Sequence, residues 1–309
     1  MEALIDFNSY PVRITLKRLL KDKTTKKNII WATNNYEDFG LEFSDKSEIK
    51  DYHFSRGFHL EPRTSKSYKT QLERTRKRAE VYTPSWIVNK MNNYCDEEWF
   101  GRPNVFNIEK DKSWEPVREK IIFPKEKSWK NYIKSTRLEI TCGEAPYLVS
   151  RYDATTSHLI KHTINRVGIL DRKLRIVNEN TETKDEWINW ATEAVKSTYG
   201  YEYQGDSLLL ARINVLLTFV EYYERRFDED VEKRVLNKLA NIISWNLWQM
   251  DGLTDTVPFK AQDSEDNQIS IFDILDIEEK EEEKEPVFCR IYDWKTNRSQ
   301  AFKSLKENI

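Results

Sequence analysis

Small and acidic residues follow three predicted strands, and their types suit the recognition of an adenosyl group. A turn with Gly143 follows the strand 138–141, Glu202 ends the strand 197–202, and Asp251 ends a later apolar stretch. A glycine lets the backbone approach a ligand closely. A carboxylate can accept hydrogen bonds from both ribose hydroxyls, and the next acid can meet the adenine amino group. Together these positions predict one binding site at the carboxyl edge of a parallel sheet.

Two alternatives to this interpretation stay open. Asp171, which lies between Gly143 and Glu202 in the chain, is a rival for the ribose. Acids are also common at strand ends, so an α/β domain without a ligand would carry some of them by chance. His158 and His162 are spaced like metal ligands, but they lack a third ligand and a glutamate base. We therefore predict no metal site.

The surrounding pattern alternates between strands and amphipathic helices. Helices are predicted at 85–94, 207–223 and 231–239. Strands that alternate with helices of this length indicate βαβ units, a parallel sheet and hence an α/β fold. The nearly sixty residues between Gly143 and Glu202 predict a helical hairpin or loop insert, about 155–190, outside the sheet.

The flanking regions follow other patterns. Residues 1–60 predict mixed strand and helix with a short buried strand at 28–32, and 97–134 predict aromatic-rich loops. The predicted organisation is an N-terminal α+β extension with a basic helix (1–77), a cofactor-binding domain (78–260), an acidic linker (261–286) and a docking segment (287–309).

Composition excludes several classes of protein. Of the 309 residues, 39% are hydrophobic and 13% aromatic, which is too much apolar surface for a disordered chain. No apolar run is long enough to span a bilayer, and the N-terminus lacks the pattern of a signal peptide. The three cysteines match neither a disulfide framework nor a metal spacing. We expect a soluble, cytoplasmic protein.

The net charge of -2 hides two opposite clusters. Residues 262–286 hold eleven acids and two lysines, a charge of -9 that is typical of a linker. Residues 63–78 hold seven basic residues and only one acid, Glu73. Clustered basic residues are typical of DNA phosphate binding, although a solvated helix is the simpler alternative. The DNA-binding candidates are Arg63, Lys66, Lys69, Arg74, Arg76, Lys77 and Arg78.

Four segments resemble adenine-N6 DNA methyltransferases of restriction-modification systems. Residues 82–91 (Tyr-Thr-Pro-Ser-Trp-Ile-Val-Asn-Lys-Met) are similar to the segment that precedes their catalytic domain. Residues 138–148 resemble their Cys-Gly cofactor turn, and 200–217 resemble their Gly-x-Glu segment. Residues 242–253 resemble the strand that ends in an acid near adenine. The resemblance spans roughly 78–255.

This resemblance implies a Rossmann-like methyltransferase sheet that binds S-adenosylmethionine. Glu202 would then bind the ribose and Asp251 the adenine. Tyr82, Thr83 and Pro84 would cover the methionine end. The cofactor turn would contribute Glu139, Thr141, Cys142, Gly143, Glu144 and Ala145.

The sequence departs from the family pattern in three ways. Glu139 replaces an aspartate, and Ala145 replaces a glycine where the backbone can need a positive φ. No Pro-Pro pair occurs, whereas the family holds its flipped adenine with an acid or amide, two prolines and an aromatic residue. No catalytic residue is therefore assigned.

We accordingly expect a subunit that is inactive alone. It would bind double-stranded DNA and need a second methyltransferase or restriction subunit to supply that loop. The alternative is a non-catalytic, methyltransferase-like module that binds DNA or regulates.

Overall fold

The computed structural model describes residues 4–62, 83–260 and 285–306. Within these ranges the helices are α1 (Val12–Leu19), α2 (Asp51–Ser55), α3 (Ser85–Phe100), α4 (Trp129–Lys134), α5 (Ile169–Asn180), α6 (Lys184–Lys196), α7 (Gly205–Phe227), α8 (Lys233–Asn246) and α9 (Lys303–Lys306). Short 3-10 turns occur at Glu37–Phe39, Leu41–Phe43 and Thr163–Asn165. The strands are β1 (Asn107–Lys110), β2 (Ser113–Pro116), β3 (Arg137–Glu139), β4 (Thr198–Glu202), β5 (Leu247–Gln249), β6 (Arg290–Asp293) and β7 (Arg298–Ala301).

A three-stranded parallel sheet with the order β3-β4-β5 organises the chain and confirms the predicted α/β class. Glu139 pairs in register with Gly200, and Glu202 pairs with Gln249. Because the strands are parallel, the residues that follow each of them leave the sheet at one edge. The predicted junctions therefore share the carboxyl edge.

The interval 155–190 differs from expectation. Instead of an insert outside the sheet, α5 and α6 form the connection from β3 to β4 and pack inside the main core. Leu174 and Trp187 are fully buried there, because α5 packs against α6 and α7 while α6 packs against α8 and β4. Helices α7 and α8 make the equivalent connection from β4 to β5.

One face of the sheet is covered by the β6–β7 hairpin and α9. Residues 287–309 were expected to dock on a partner, yet their described part forms the antiparallel β6–β7 hairpin and α9. Ile291 and Phe302 pack against Tyr201 and Trp248 of β4 and β5. Tyr201 and Trp248 are register partners on neighbouring strands, so their large side chains lie on the same face of the sheet and form the surface that this segment covers.

The N-terminal region is part of the same core. Helix α1 packs on α8, and Trp31 is fully buried in the main hydrophobic cluster. The strand expected at 28–32 does not form; only isolated bridges join Asn28 to Lys21 and Ile30 to Glu48. The backbone N–H and carbonyl of Ile30 instead bind the Gln249 side chain at the sheet edge.

Other elements differ mainly in extent. Helix α3 runs six residues beyond its expected end to Phe100, and α8 continues to Asn246. The region 97–134 contains the β1–β2 hairpin and α4 in addition to loops. Among the described residues, no helix is long and apolar enough to cross a bilayer. The basic segment 63–78, Tyr82 and most of the acidic linker lie outside the described residues.

Gly205 fixes how closely the N-terminal region approaches the sheet edge. Its N–H donates to the Trp31 carbonyl at 2.9 Å, and a Cβ there would lie 1.9 Å from the Ile30 carbonyl oxygen. We expect Gly205→Ala to lower the free energy of unfolding by at least ~2 kcal/mol, since backbone must move.

The control is Gly101→Ala, where a Cβ meets nothing within 4 Å but φ is +71°. Strain alone should cost ~1 kcal/mol there. Urea denaturation of both variants tests this order, and equal losses would contradict the close approach.

Candidate functional site

The turn after β3 has an unusual backbone. Thr141, Gly143 and Ala145 have φ values of 46°, 52° and 65°, in the left-handed region. At Gly143 a Cβ would meet nothing within 4 Å, whereas Ala145 is fully buried. Ala145 therefore adopts a positive φ without being a glycine, and its methyl group packs in the core. The open side of the turn lies at Gly143.

Glu202 joins this turn to the end of β4. Its Oε2 accepts the Gly143 N–H at 2.8 Å, and its Oε1 accepts the N–H groups of Tyr203 and Gln204 at 3.0 and 3.1 Å. The residue is only 8% exposed. Two of the predicted positions, 59 residues apart in sequence, are thus in direct contact.

Glu139 holds the other side of the turn. Its two carboxylate oxygens accept the N–H groups of Tyr147 and Leu148 at 3.3 and 3.1 Å. Burial raises the pKa of Glu139 to about 8, helped by the charge of Glu202 and opposed by the two N–H groups. The side chain therefore favours its neutral form in the folded protein.

Cys142 has a packing role in this geometry. Its N–H donates to the Tyr201 carbonyl at 2.8 Å, and its side chain is buried. Burial and the nearby carboxylates of Glu139 and Glu202 raise the pKa of the thiol well above its ordinary value. The thiol is therefore a poor nucleophile.

Glu144 is tied to helix α7 and to the loop that follows the turn. Its Oε2 accepts the Tyr152 hydroxyl at 2.5 Å, and its carbonyl accepts Asn214 Nδ2 at 3.2 Å. Asn214 Nδ2 also donates to the Tyr152 hydroxyl oxygen at 3.0 Å. These bonds fix the position of the turn relative to α7.

Thr83 and Pro84 come near the same loop. Pro84 immediately precedes α3, and the Ser85 N–H donates to Asp153 Oδ2 at 2.7 Å. Hydrogen bonds from Ser85 and Thr155 hold the pKa of Asp153 below its ordinary value although burial opposes them. An ionised carboxylate at the start of α3 is favoured by the free N–H groups there.

Asp251 follows β5 at the same edge. Its Oδ1 accepts the Leu253 N–H at 2.9 Å, and its backbone pairs with Thr256. The preceding Met250 N–H donates to the Glu202 carbonyl at 3.0 Å. Asp251 is thus next to the end of β4, and its carboxylate is partly exposed.

The rival acid Asp171 lies elsewhere. It is in the first turn of α5, and its Oδ2 accepts the Ser150 N–H at 2.8 Å. Burial raises the pKa of Asp171 to about 6, while Arg166 opposes this shift. Of the two acids considered for the ribose, only Glu202 ends a strand.

Sequence reasoning missed two residues that shape this edge. Gln249 is buried, accepts the Ile30 N–H at 2.9 Å, and donates to the carbonyls of Ile30 and Tyr203 at 2.9 and 2.8 Å. Asp206 is fully buried and accepts the Tyr36 hydroxyl at 2.8 Å. The sequence offers a signal for Asp206, because this acid lies only four residues after Glu202. No local pattern indicates the contact between Gln249 and Ile30.

The edge is rich in carboxylates. Glu139 ends β3, Glu144 lies in the turn, Glu202 ends β4, and Asp206 lies in the first turn of α7. Since Glu139 favours its neutral form, the negative charge that would attract a cationic ligand group comes from the other three carboxylates. Among the described residues, no three His, Cys, Asp or Glu side chains are arranged to hold a metal ion.

No protein-family model, curated protein or solved structure matches this chain.

The raised pKa of Glu139 predicts a pH-dependent stability. Between the ordinary value near 4.5 and about 8, the folded protein keeps a proton that the unfolded chain releases. The free energy of unfolding should therefore fall as pH rises through this window. Glu139→Gln stays neutral throughout, so it should lack this part of the decline, a difference on the order of 3 kcal/mol at pH 8.5.

Denaturant titrations between pH 5 and 8.5 measure this difference. The control is Glu115→Gln on β2, an exposed carboxylate that should leave the pH profile unchanged. A Glu139→Gln profile parallel to that of the original protein would show that Glu139 is ionised in the fold.

Proposed function

We propose that the chain is the S-adenosylmethionine-binding component of an adenine-N6 DNA methyltransferase with a Rossmann-like sheet. The observation that carries the proposal is the 2.8 Å hydrogen bond between the Gly143 N–H and the Glu202 carboxylate. It joins a glycine turn after one parallel strand to an acid at the end of the next. An adenosyl ligand at this edge would meet both groups together.

The shape of the turn supports close approach by a ligand. Space is open where a side chain at position 143 would begin, and the backbone there is left-handed. The left-handed backbone favours glycine at this position, and the open space leaves room for a ligand to approach it. In the proposal, the ligand's polar body lies against Gly143, the ribose against Glu202 and the adenine near Asp251.

The charge of the edge supports the same ligand. S-adenosylmethionine has a net positive charge, because its sulfonium and ammonium groups outnumber its one carboxylate, and the carboxylates of Glu144 and Glu202 lie at the turn. Glu144 binds Tyr152, which immediately precedes Asp153, and Asp153 binds the start of α3. Thr83 and Pro84 are held at this side, where the proposal puts the methionine end.

The catalytic loop would come from a partner chain. In the described part of the sheet, β3 is an edge strand with β4 as its neighbour. A strand added beside β3 would reverse the strand order next to Gly143, and ligands in open α/β sheets bind at such reversals. The exposed apolar side chains of Leu138 and Ile140 support contact at this edge. Double-stranded DNA and a second subunit are the proposed partners.

A non-catalytic, methyltransferase-like module is the second candidate. The observation in its favour is that no Pro-Pro pair occurs in the 309 residues. It shares the cofactor site with the first candidate, so cofactor binding alone does not separate them. A neighbouring reading frame that encodes Asn-Pro-Pro-Tyr after a strand would favour the split enzyme.

Calorimetry with S-adenosylmethionine tests the proposed site. We expect micromolar-range binding to the original protein and roughly tenfold weaker binding to Gly143→Ala, because the methyl group fills the open side of the turn. Gly101→Ala is the matched control, since both glycines have positive φ and open space. Equal loss of affinity in both variants would mean that backbone strain, and not ligand contact, is responsible.

Glu202→Ala should weaken cofactor binding more than Asp171→Ala does among variants that remain folded. Circular dichroism of each variant without ligand checks folding. Absence of heat and of a thermal shift with millimolar S-adenosylmethionine would overturn the cofactor assignment.

The isolated chain should transfer no methyl group to DNA. The adenine amino nitrogen has its lone pair delocalised into the ring, so attack on the sulfonium methyl requires rigidly placed acceptors. Incubation with labelled cofactor and mixed-sequence DNA measures transfer. Label in adenine, without any second chain, would contradict the proposed need for a partner.

A further inference from the structure

The opposite edge of the sheet carries a second cluster of chemistry. Lys134, Lys196 and Asn246 each end the helical segment that leads into a parallel strand. They must therefore lie at the amino edge, far along the strands from Glu202. The tip of the β6–β7 hairpin reaches the same edge, because Trp294 Nε1 donates to Asn246 Oδ1 at 2.7 Å.

Aromatic rings and lysines alternate along this edge. Trp245, Tyr292 and Trp294 form a chain of ring contacts with centroids 5.3 and 4.5 Å apart. Lys26 lies over the Trp245 ring at 5.4 Å, and Lys196 lies over the Trp294 ring at 5.6 Å.

Tryptophans and lysines also lie close together where α4 and α6 meet. Trp129 and Trp190 are in edge contact at 4.7 Å, and Lys130 and Lys134 lie over the Trp190 ring at 5.2 and 5.5 Å. We name the whole set the amino-edge track; its members are Lys26, Lys130, Lys134, Lys196, Lys295, Trp129, Trp190, Trp245, Tyr292 and Trp294.

A cavity of about 450 Å³ opens within the track. Five of its sixteen lining residues are aromatic, among them Tyr199 and Trp248 from the sheet and Tyr292 and Trp294 from the hairpin. This volume is typical of pockets that hold small ligands or a single base.

The cavity is lined by three lysines and two acids. Lys134, Lys196 and Lys295 line it, together with the acids Glu193 and Asp293. Glu193 binds Lys196 Nζ at 2.7 Å, while Asp293 accepts the Lys295 N–H at 2.8 Å within the hairpin turn. Lys134 and Lys295 are exposed, so their ammonium groups can reach an anion.

We propose that the amino-edge track binds single-stranded nucleic acid, with one base in the aromatic cavity and the phosphates on the lysines. Unpaired bases stack on aromatic rings without regard to sequence, and a row of cations follows the backbone. Lysine suits phosphate as a compact point charge. A duplex would offer its phosphates but keep its bases stacked, so the track distinguishes single strands from duplexes.

The track is independent of the proposed cofactor site. It lies at the other end of the strands and includes none of the residues assigned to S-adenosylmethionine. Loss of one activity therefore leaves the other measurable.

Fluorescence anisotropy with the full chain tests the proposal. The probe is a labelled oligodeoxythymidylate of roughly 12 nucleotides, within the ~4–16 that such sites cover. We expect the track to contribute to the binding of this probe and not to the binding of a duplex of equal length, for which residues 63–78 are the candidates. The double variant Lys134→Ala/Lys295→Ala should weaken single-strand binding roughly tenfold. It should also reduce the slope of log affinity against log salt by about 1.4, which is ~0.7 for each phosphate that the variant no longer neutralises.

Two further variants separate the track from nonspecific attraction. Lys110→Ala/Lys112→Ala removes the same charge from the exposed β1–β2 hairpin, which packs near α3 and the 163–165 turn, and should change little. Tyr292→Leu keeps apolar volume but removes a stacking surface, and should weaken binding roughly fivefold with an unchanged salt slope.

Three results would overturn the proposal. They are absence of single-strand binding at low salt, an equal loss of affinity for the single strand and for the duplex in Lys134→Ala/Lys295→Ala, and an equal loss of affinity in the Lys110/Lys112 control. Thermal melts of each variant confirm that the protein remains folded, and cofactor calorimetry should be unaffected.

Discussion

The carboxylate of Glu202 is the constraint on which the candidate site depends. It is nearly buried, and a buried carboxylate without partners would cost several kcal/mol. Three backbone N–H groups, from Gly143, Tyr203 and Gln204, satisfy it. To bring the Gly143 N–H to this position, the chain after β3 must turn back over β4. To follow this path, three residues of the turn adopt left-handed backbone conformations, which are unfavourable for the two that are not glycine.

A second buried group, an amide, organises the other side of the edge. Gln249 holds both the N–H and the carbonyl of Ile30, so the N-terminal region is fixed above the ends of β4 and β5. Buried amides need all such partners, and Gly205 keeps the close distance that makes them available. The carboxyl edge is therefore bounded by the β3 turn on one side and by the N-terminal region on the other. The amino edge, with its lysines and aromatic rings, is chemically distinct.

The sequence predicted elements whose signals are local. Helix α7 follows from a long amphipathic pattern, and β4 follows from its position before a helix, so both were expected within a few residues. The contact between Gly143 and Glu202 followed from parallel strand order. The role of α5 and α6 did not, because the nearly sixty residues between Gly143 and Glu202 suggested an insert, and only tertiary packing shows that both helices belong to the main core. The contacts of Gln249 and of the β6–β7 hairpin join residues more than forty positions apart, and no local pattern encodes such pairs.

Hydrogen–deuterium exchange with and without S-adenosylmethionine locates the ligand on the chain. If the cofactor binds at the carboxyl edge, amides in 139–149 and 198–205, where the turn and the end of β4 meet, should exchange more slowly with the ligand present. Amides of the β6–β7 hairpin, at the other face, should exchange unchanged. Protection confined to the hairpin or to the amino edge, with none at Gly143 and its neighbours, would contradict the account.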